Sequence, residues 1–373
     1  MSSANSSTRA PDTTPKTSLL TRQMISFLLF SVAAYSCFAM LLSVVPLFAN
    51  STHDSSFAAG LAMGTMMLGT VITELWTHQI LARFGYRLSM GMAVILLATP
   101  ALVLIWSSAL VTIVLTSLVR GAGLAILVVA GSAIAAELAP PNRRGESIGL
   151  YGIAASVPSI IGLPAGIWLS EHAGFNQVFL LSTGLGLLAL FWLRALPTHR
   201  PAVSDQGSVL SALRDSRLAR PTLIFLTTAL ASGIFVTFLP LAVGEDLRGV
   251  ATLALLAQTS ATAITRWGAG RLGDHFGATH LLLPAMLLCA AGAAAVIATT
   301  TPPMVIAGMT LFGIGFGIAQ TSTISMLFER VPISEFGRVS ALWNMAFDAG
   351  MGSARLGSAL SPVALAIRED SPS

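Results

Sequence analysis

The sequence predicts an all-α membrane protein built from two pseudo-repeated transmembrane helix bundles. Three observations carry that expectation. Of 373 residues, 54% are hydrophobic and only 10% charged, where a soluble domain has roughly 25% charged residues. Eleven apolar runs follow one another along the chain, most close to the ~20 residues that a bilayer-crossing helix needs. A turn motif also recurs at an offset of 192 residues, each time after a long apolar run. The composition excludes a single water-soluble domain, and it excludes disorder, which needs low hydrophobicity and high charge. The 33 glycines suit helices that approach closely in lipid.

Taken in order, residues 1–21 are polar and rich in Ser, Thr and Pro, and predict a disordered cytoplasmic tail. No charged residue lies between Arg22 and Asp54, and the 25 residues 24–48 read as the first span. A cleavable signal peptide has an apolar core of only about 7–15 residues. Further spans are expected at 57–80, 88–106, 110–136, 148–169 and 175–193, which completes an N-terminal six-helix bundle over 22–195. A cytoplasmic linker, 196–220, carries the amphipathic segment SVLSALRDSRLAR. Spans at 221–243, 250–268, 281–298, 304–327 and 339–363 form a C-terminal bundle over 221–373. Periodicity alone does not separate a buried soluble helix from a membrane span, but eleven such runs cannot all be cores of one soluble domain.

Orientation follows from the basic residues, because cytoplasmic loops are enriched in Lys and Arg. With the N-terminus inside, fifteen of the 20 basic residues fall in inner segments and one, Arg248, falls outside. Arg120, Arg266 and Arg355 lie within spans, and Arg368 lies in the tail. The positive charge is therefore topological, and no nucleic-acid partner is expected. Nineteen of the 20 basic residues are Arg, a bias that points to a GC-rich, bacterial source and hence to a multi-pass protein of the cytoplasmic membrane.

The repeated turns read His78-Gln-Ile-Leu-Ala82-Arg83-Phe-Gly85-Tyr-Arg87 and Gly270-Arg-Leu-Gly-Asp274-His275-Phe-Gly277. Both resemble the Gly-x-Leu-x-Asp-Arg-x-Gly-Arg-Arg loop signature of the major facilitator superfamily. The second copy keeps Gly270, Leu272, Asp274 and Gly277. The first keeps Arg83, Gly85 and Arg87, but has His78 for the Gly and Ala82 for the Asp, so it lacks the carboxylate of the family's charge latch. Span four carries Arg120-Gly-Ala-Gly123, similar to the family's membrane Arg followed by Gly. Span five carries Gly162-Leu-Pro164-Ala-Gly166, similar to the Gly/Pro motif of its antiporters, with the adjacent Gly-Pro pair interrupted. The resemblance implies a secondary transporter working by alternating access, with a small-molecule site between the halves near mid-membrane. The span-five motif favours proton-coupled efflux. An uptake symporter and a non-transporting truncated protein stay open as alternatives. The resemblance also implies a monomer in the lipid bilayer with a proton as coupling ion. It further implies a twelfth helix: the repeat maps span six past residue 373, so that helix is expected to be missing.

Charges within spans are costly and usually face a cavity or a partner. Arg120 reads either as a cation at the cavity, relaying protons indirectly or binding an anion, or as a structural donor to backbone carbonyls. Asp348 lies four residues after Asn344, on the same helix face. A carboxyl removed from water holds its proton more firmly, which suits coupling, but Asp348 also reads as an interhelical bond or a partner of Arg266. Glu74 reads as protonatable or as a gating partner of an inner-loop Arg. Arg266, near the inner end of its span, is expected to snorkel to the interface. In span ten, Gln320, Thr321, Ser322, Thr323 and Ser325 either line a substrate path or satisfy backbone and pack helices. Trp343 stands out beside Asn344, because most other Trp lie near span ends. The six His fall in loops or at span edges, with no metal-ligand spacing, and no phosphate-cradling Gly loop is seen. No catalytic residue, metal or cofactor is expected, and energy would come from an ion gradient.

Overall fold

The computed structural model describes residues 18–201, 207–242, 248–298 and 301–359, and all regular structure among them is helical. The expected tail and the expected loss of a last helix fall on 1–17 and 360–373, outside the described residues. Helix α1 (Arg22–His53) starts at Thr21, whose hydroxyl accepts from the Met24 amide at 3.2 Å. It ends at Asp54 in a left-handed conformation with φ 45°. Helix α2 (Ser56–Ala98) contains the first signature turn, and Gly85 breaks the helix there with φ 76° and ψ 167°. That conformation is open to Gly and strained for other residues.

The chain doubles back at Gly85. Gly121 of the next helix, α3 (Leu110–Leu138), lies against the backbone of Met66 and Thr70 in the first arm of α2. Two residues later, Gly123 lies against Ala93, Leu96 and Leu97 in the second arm. A Cβ at either glycine would run into that backbone. α3 stops before Pro140-Pro141, since the residue before a proline is pushed out of the helical region. Then come α4 (Arg144–His172) and α5 (Phe175–Leu188), the latter continuing as a tighter 3-10 turn over Ala189–Ala195.

The second bundle contains α6 (Ser216–Ala242), α7 (Arg248–Phe276), α8 (Ala278–Ala298), α9 (Pro302–Glu329) and α10 (Phe336–Ala359). Gly277, between α7 and α8, has φ 87°, matching Gly85 at the offset of 192. The duplication reaches individual bonds. Thr70 donates to the Gly121 carbonyl at 3.2 Å, and Thr262 donates to the Gly313 carbonyl at 3.0 Å. Gly315 lies against Ala285 and Cys289 as Gly123 lies against Ala93 and Leu97. Each of these pairs is separated by 192 residues. Small residues at these crossings let backbones pack where lipid supplies no hydrophobic driving force.

Eight helical stretches among the described residues are long and apolar enough to cross a membrane, and the doubled stretch Phe57–Ile105 counts once among them. α7 and α10 fall short of that measure, and both carry polar residues into the central cavity. The bundles meet chiefly along α4 with α7 and along α2 with α10. Their contact is tightest at the end carrying the two signature turns, where Gly145 and Gly270 sit backbone to backbone and Gly337 lies against Leu81 and His78.

Candidate functional site

Between the bundles lies a cavity of about 380 Å³, lined from α1 to α4 on one side and from α6, α7, α9 and α10 on the other. Small-molecule sites commonly span about 300–1,000 Å³. Four polar side chains, three lining the cavity and Glu74 behind it, share one depth. Glu74 is eleven residues from Gly85, Arg266 ten from the end of α7, Gln320 nine from the end of α9, and Asp348 twelve from the start of α10. At 1.5 Å per residue these are roughly 14–18 Å from the signature end, about half the ~30 Å hydrocarbon thickness.

One wall is acidic. Glu74 on α2 is fully buried, and neither carboxylate oxygen has a hydrogen-bond partner. Asp348 on α10 is the charge that reaches it, and Asp348 itself lines the cavity. Sequence reasoning named both residues, but not that the packing of α2 against α10 brings them within electrostatic reach of each other. Asn344, one turn before Asp348, lines the cavity and donates to the Ser340 carbonyl at 2.8 Å. Ser340 in turn donates to the Val129 carbonyl of α3 at 2.8 Å and pairs with Ser132, which ties α10 to the first bundle below the cavity.

The opposite wall is basic. Arg266 does not snorkel to the interface as expected; it lines the cavity. The reason is local: Gly152 of α4 leaves a slot, and a Cβ there would collide with the guanidinium. The buried Arg266 Nε has no hydrogen-bond partner. Within its electrostatic reach are Tyr35 and Tyr151, whose hydroxyls bond each other at 2.7 Å. Residue 266 is also the 192-residue counterpart of Glu74, so the repeat places opposite charges at equivalent positions.

Aromatic rings form the wall beside Asn344. Trp343 and Phe225 stack at 4.3 Å with 6° between planes, and Phe225 continues to Phe316 at 6.3 Å and Phe347 at 6.0 Å. The Trp343 indole N–H donates to Thr323 at 3.0 Å, which fixes the ring. Gln320 lines the cavity, whereas its neighbour Thr321 donates to the Arg266 carbonyl and Thr323 to the Ala319 carbonyl. The polar run in α9 is thus part cavity wall and part backbone partner.

Other expected site residues lie elsewhere. Arg120 is fully buried inside the first bundle, where its Nε donates to the Leu97 carbonyl at 3.3 Å. It borders Leu41, Pro46 and Met66 and is not part of the central cavity lining. This placement matches the alternative reading of Arg120 as a donor to backbone carbonyls: its Nε is held by a carbonyl in the second arm of α2. Gly162 and Gly166 pack against Ala39 and Met40 of α1. Ser43 bonds the carbonyl of Leu163, next to Pro164, at 3.0 Å.

The signature turns sit at the closed end. Arg87 donates from Nε and a terminal nitrogen to the Leu196 carbonyl at 3.1 and 2.9 Å, and to the Arg194 carbonyl at 2.5 Å. This staples the end of the first bundle to its own turn. Arg83 lies over the Phe84 ring at 5.5 Å. Asp274 reaches across the interface: its two carboxylate oxygens accept from the Gly145 and Glu146 amides, each at 2.8 Å. These are among the first amides of α4, which have no partner within the helix.

Comparison with known proteins follows the same architecture. The chain is 28% identical over 210 residues to the inner membrane transport protein YdhP of Escherichia coli (strain K12), covering 52% of this chain and 50% of that protein. It is 22% identical over 278 residues to the multidrug resistance protein MdtG of Salmonella arizonae, covering 68% of this chain and 67% of that one. The chain thus spans about half the length of the first of these relatives. Among solved structures, a bacterial homologue of the iron transporter ferroportin in an outward-facing state superposes with a TM-score of 0.76. The identity is 13%, over 92% of this chain and 93% of that one. The Escherichia coli fucose:proton symporter FucP superposes with a TM-score of 0.70 at 18% identity, over 92% of both chains. At such identities the likeness is one of fold. The family model of the Major Facilitator Superfamily matches residues 27–354, and the chain belongs to that family of transporters.

Proposed function

We propose that this chain is a proton-coupled efflux transporter of a small solute, a monomer of the bacterial cytoplasmic membrane with its N-terminus inside. The observation that carries this reading is that Glu74 and Asp348, on the packed helices α2 and α10, lie within electrostatic reach of each other at mid-depth beside the cavity. Two carboxyls that interact titrate as a pair. Protonation of at least one of them lets the interface close over the pair, and loss of that proton sets two like charges against each other and drives the bundles apart. Protons moving down their gradient thereby power the alternation. Efflux is supported by the Gly/Pro motif of α4 and by relatives described as a multidrug resistance protein and a staphylopine export protein.

The test is accumulation of a panel of labelled small solutes in cells expressing the chain, with and without a protonophore. Expression is expected to lower accumulation of at least one solute, and the protonophore to abolish the difference. Asp348→Asn and Glu74→Gln are expected to reach the membrane and lose gradient-driven transport. Full transport with wild-type pH dependence in both variants would remove the pair from the mechanism.

A further inference from the structure

We propose that the cavity is built for a small organic monoanion with a flat aromatic body, its acidic group seated on Arg266 and its ring against the Trp343 slab. This rests on the transporter reading above and names its substrate class. The argument begins with charge. A guanidinium stays protonated in proteins, and among the described residues Arg266 makes no ion pair. Its neighbours Tyr35 and Tyr151 are neutral hydroxyls already bonded to each other. Its Nε is packed against Gly152 without an acceptor, so the protein leaves this buried charge uncompensated, and a buried charge is tolerated when paired and hydrogen-bonded.

The two charged walls are not equivalent toward a ligand. Glu74 is fully buried and is not part of the cavity lining, and Asp348 lies within electrostatic reach of that second carboxyl. Arg266 lines the cavity and keeps an unmet donor. The cation is therefore the wall that accepts a charge from outside. Its planar fork matches a carboxylate in two parallel bonds.

The body of the ligand follows from the rings. Trp343, Phe316 and Phe347 all line the cavity, and Phe225 backs them in near-parallel stacks. The indole N–H is committed to Thr323, so the slab offers the cavity apolar ring surface. Aromatic bodies stack in offset or edge geometries on such a surface. Gln258 adds an acceptor: its amide nitrogen is held by Ser232 at 3.1 Å, while its buried oxygen has no partner and would accept from a hydroxyl or amine on the ring.

The experiment is calorimetric titration of the purified full chain at pH 7 with three probes: 1-naphthoate, 1-naphthylmethylammonium and cyclohexanecarboxylate. The expected ranking is 1-naphthoate tighter than the ammonium by tenfold or more, and tighter than cyclohexanecarboxylate by several-fold. Arg266→Gln is expected to weaken 1-naphthoate tenfold or more, and Arg266→Lys, which keeps the charge and loses the fork, by less. Tighter or equal binding of the ammonium, undetectable 1-naphthoate binding, or a folded Arg266→Gln variant with unchanged affinity each overturns the proposal. The wild-type ranking decides even if the variants fail to fold. Gradient-driven efflux of labelled solutes without 1-naphthoate binding would leave the transporter reading standing and remove the anion site. Arginine-dependent 1-naphthoate binding with no transport of any solute would do the reverse.

Discussion

Asp274→Ala is the most direct perturbation of the closed end. The wild-type carboxylate spans the interface to the Gly145 and Glu146 amides at 2.8 Å each. Hydrogen bonds to a charged group contribute about 1.5–3 kcal/mol, and loss of a helix N-cap costs about 0.5–2 kcal/mol. Asp274 is half-buried, and water takes over both amides when the bundles part, so a net loss of about 1.5–3 kcal/mol in the closed form is the reasonable range. Since about 1.4 kcal/mol is a factor of ten, the closed-to-open ratio should fall roughly 10- to 100-fold. Asn keeps one acceptor oxygen and loses the charge, so Asp274→Asn should sit between.

Hydrogen–deuterium exchange of peptides covering 143–148 reads this directly, because those first-turn amides have no helical acceptor of their own. Faster exchange is expected in the order Ala, Asn, wild type. Unchanged exchange at Gly145 and Glu146 in a folded Asp274→Ala protein would refute the latch.

Three further perturbations separate packing from chemistry. Gly270→Val drives a side chain into the Gly145 backbone; overpacking costs about 1–3 kcal/mol, and a lower melting midpoint with faster exchange at 143–148 is expected. Arg87→Ala frees the Arg194 and Leu196 carbonyls, and limited proteolysis should cut near 196–201 several-fold faster. Arg120→Met exchanges a buried cation for an apolar chain of similar length; such replacements are often neutral or stabilising. Because Arg120 is outside the cavity lining, 1-naphthoate affinity measured by calorimetry should stay within about twofold, against a factor of ten per 1.4 kcal/mol for a true contact.

The helices and the repeat were legible because each rests on local signals. Apolar run length marks a span, and Gly85 and Gly277 mark turns whose positive φ admits little else. The same 192-residue offset also pairs Glu74 with Arg266, a signal in the sequence that sets Arg266 at the depth of Glu74 rather than at a helix end. What moved it into the cavity is Gly152, a gap on another helix, and no pattern along α7 encodes that gap. The nearness of Glu74 and Asp348, and the stacking of Phe225 on Trp343 across 118 residues of chain, likewise depend on how the helices are arranged. Arg120 lies outside the cavity lining for a related reason. Depth within a helix is readable from sequence, but which neighbour the side chain finds is not.

The repeat also shows that the two halves are latched unequally at the signature end. At an offset of 192, Gly145 corresponds to Gly337, Asp274 to Ala82, Arg143 to Glu335 and Glu146 to Arg338. On the first-bundle helix α4, Arg143 pairs with Glu146 at 2.7 Å; on α10, Glu335 pairs with Arg338 at 3.1 Å, the same spacing with the charges exchanged. Where Asp274 caps α4, Ala82 offers α10 no carboxylate, and Gly337 lies against the arm of α2 that carries Ala82. Arg338 instead reaches Ser211 of the linker at 3.1 Å. An aspartate at 82 would face the first amides of α10 and a nearby guanidinium, so Ala82→Asp should add a second latch. By the range used for Asp274, it should favour the closed end by about 1.5–3 kcal/mol. Exchange of amides 336–340 should slow, and turnover should fall, because opening that end then costs more. A folded Ala82→Asp protein with unchanged protection at 336–340 would mean that the register of the two turns differs from the repeat drawn here.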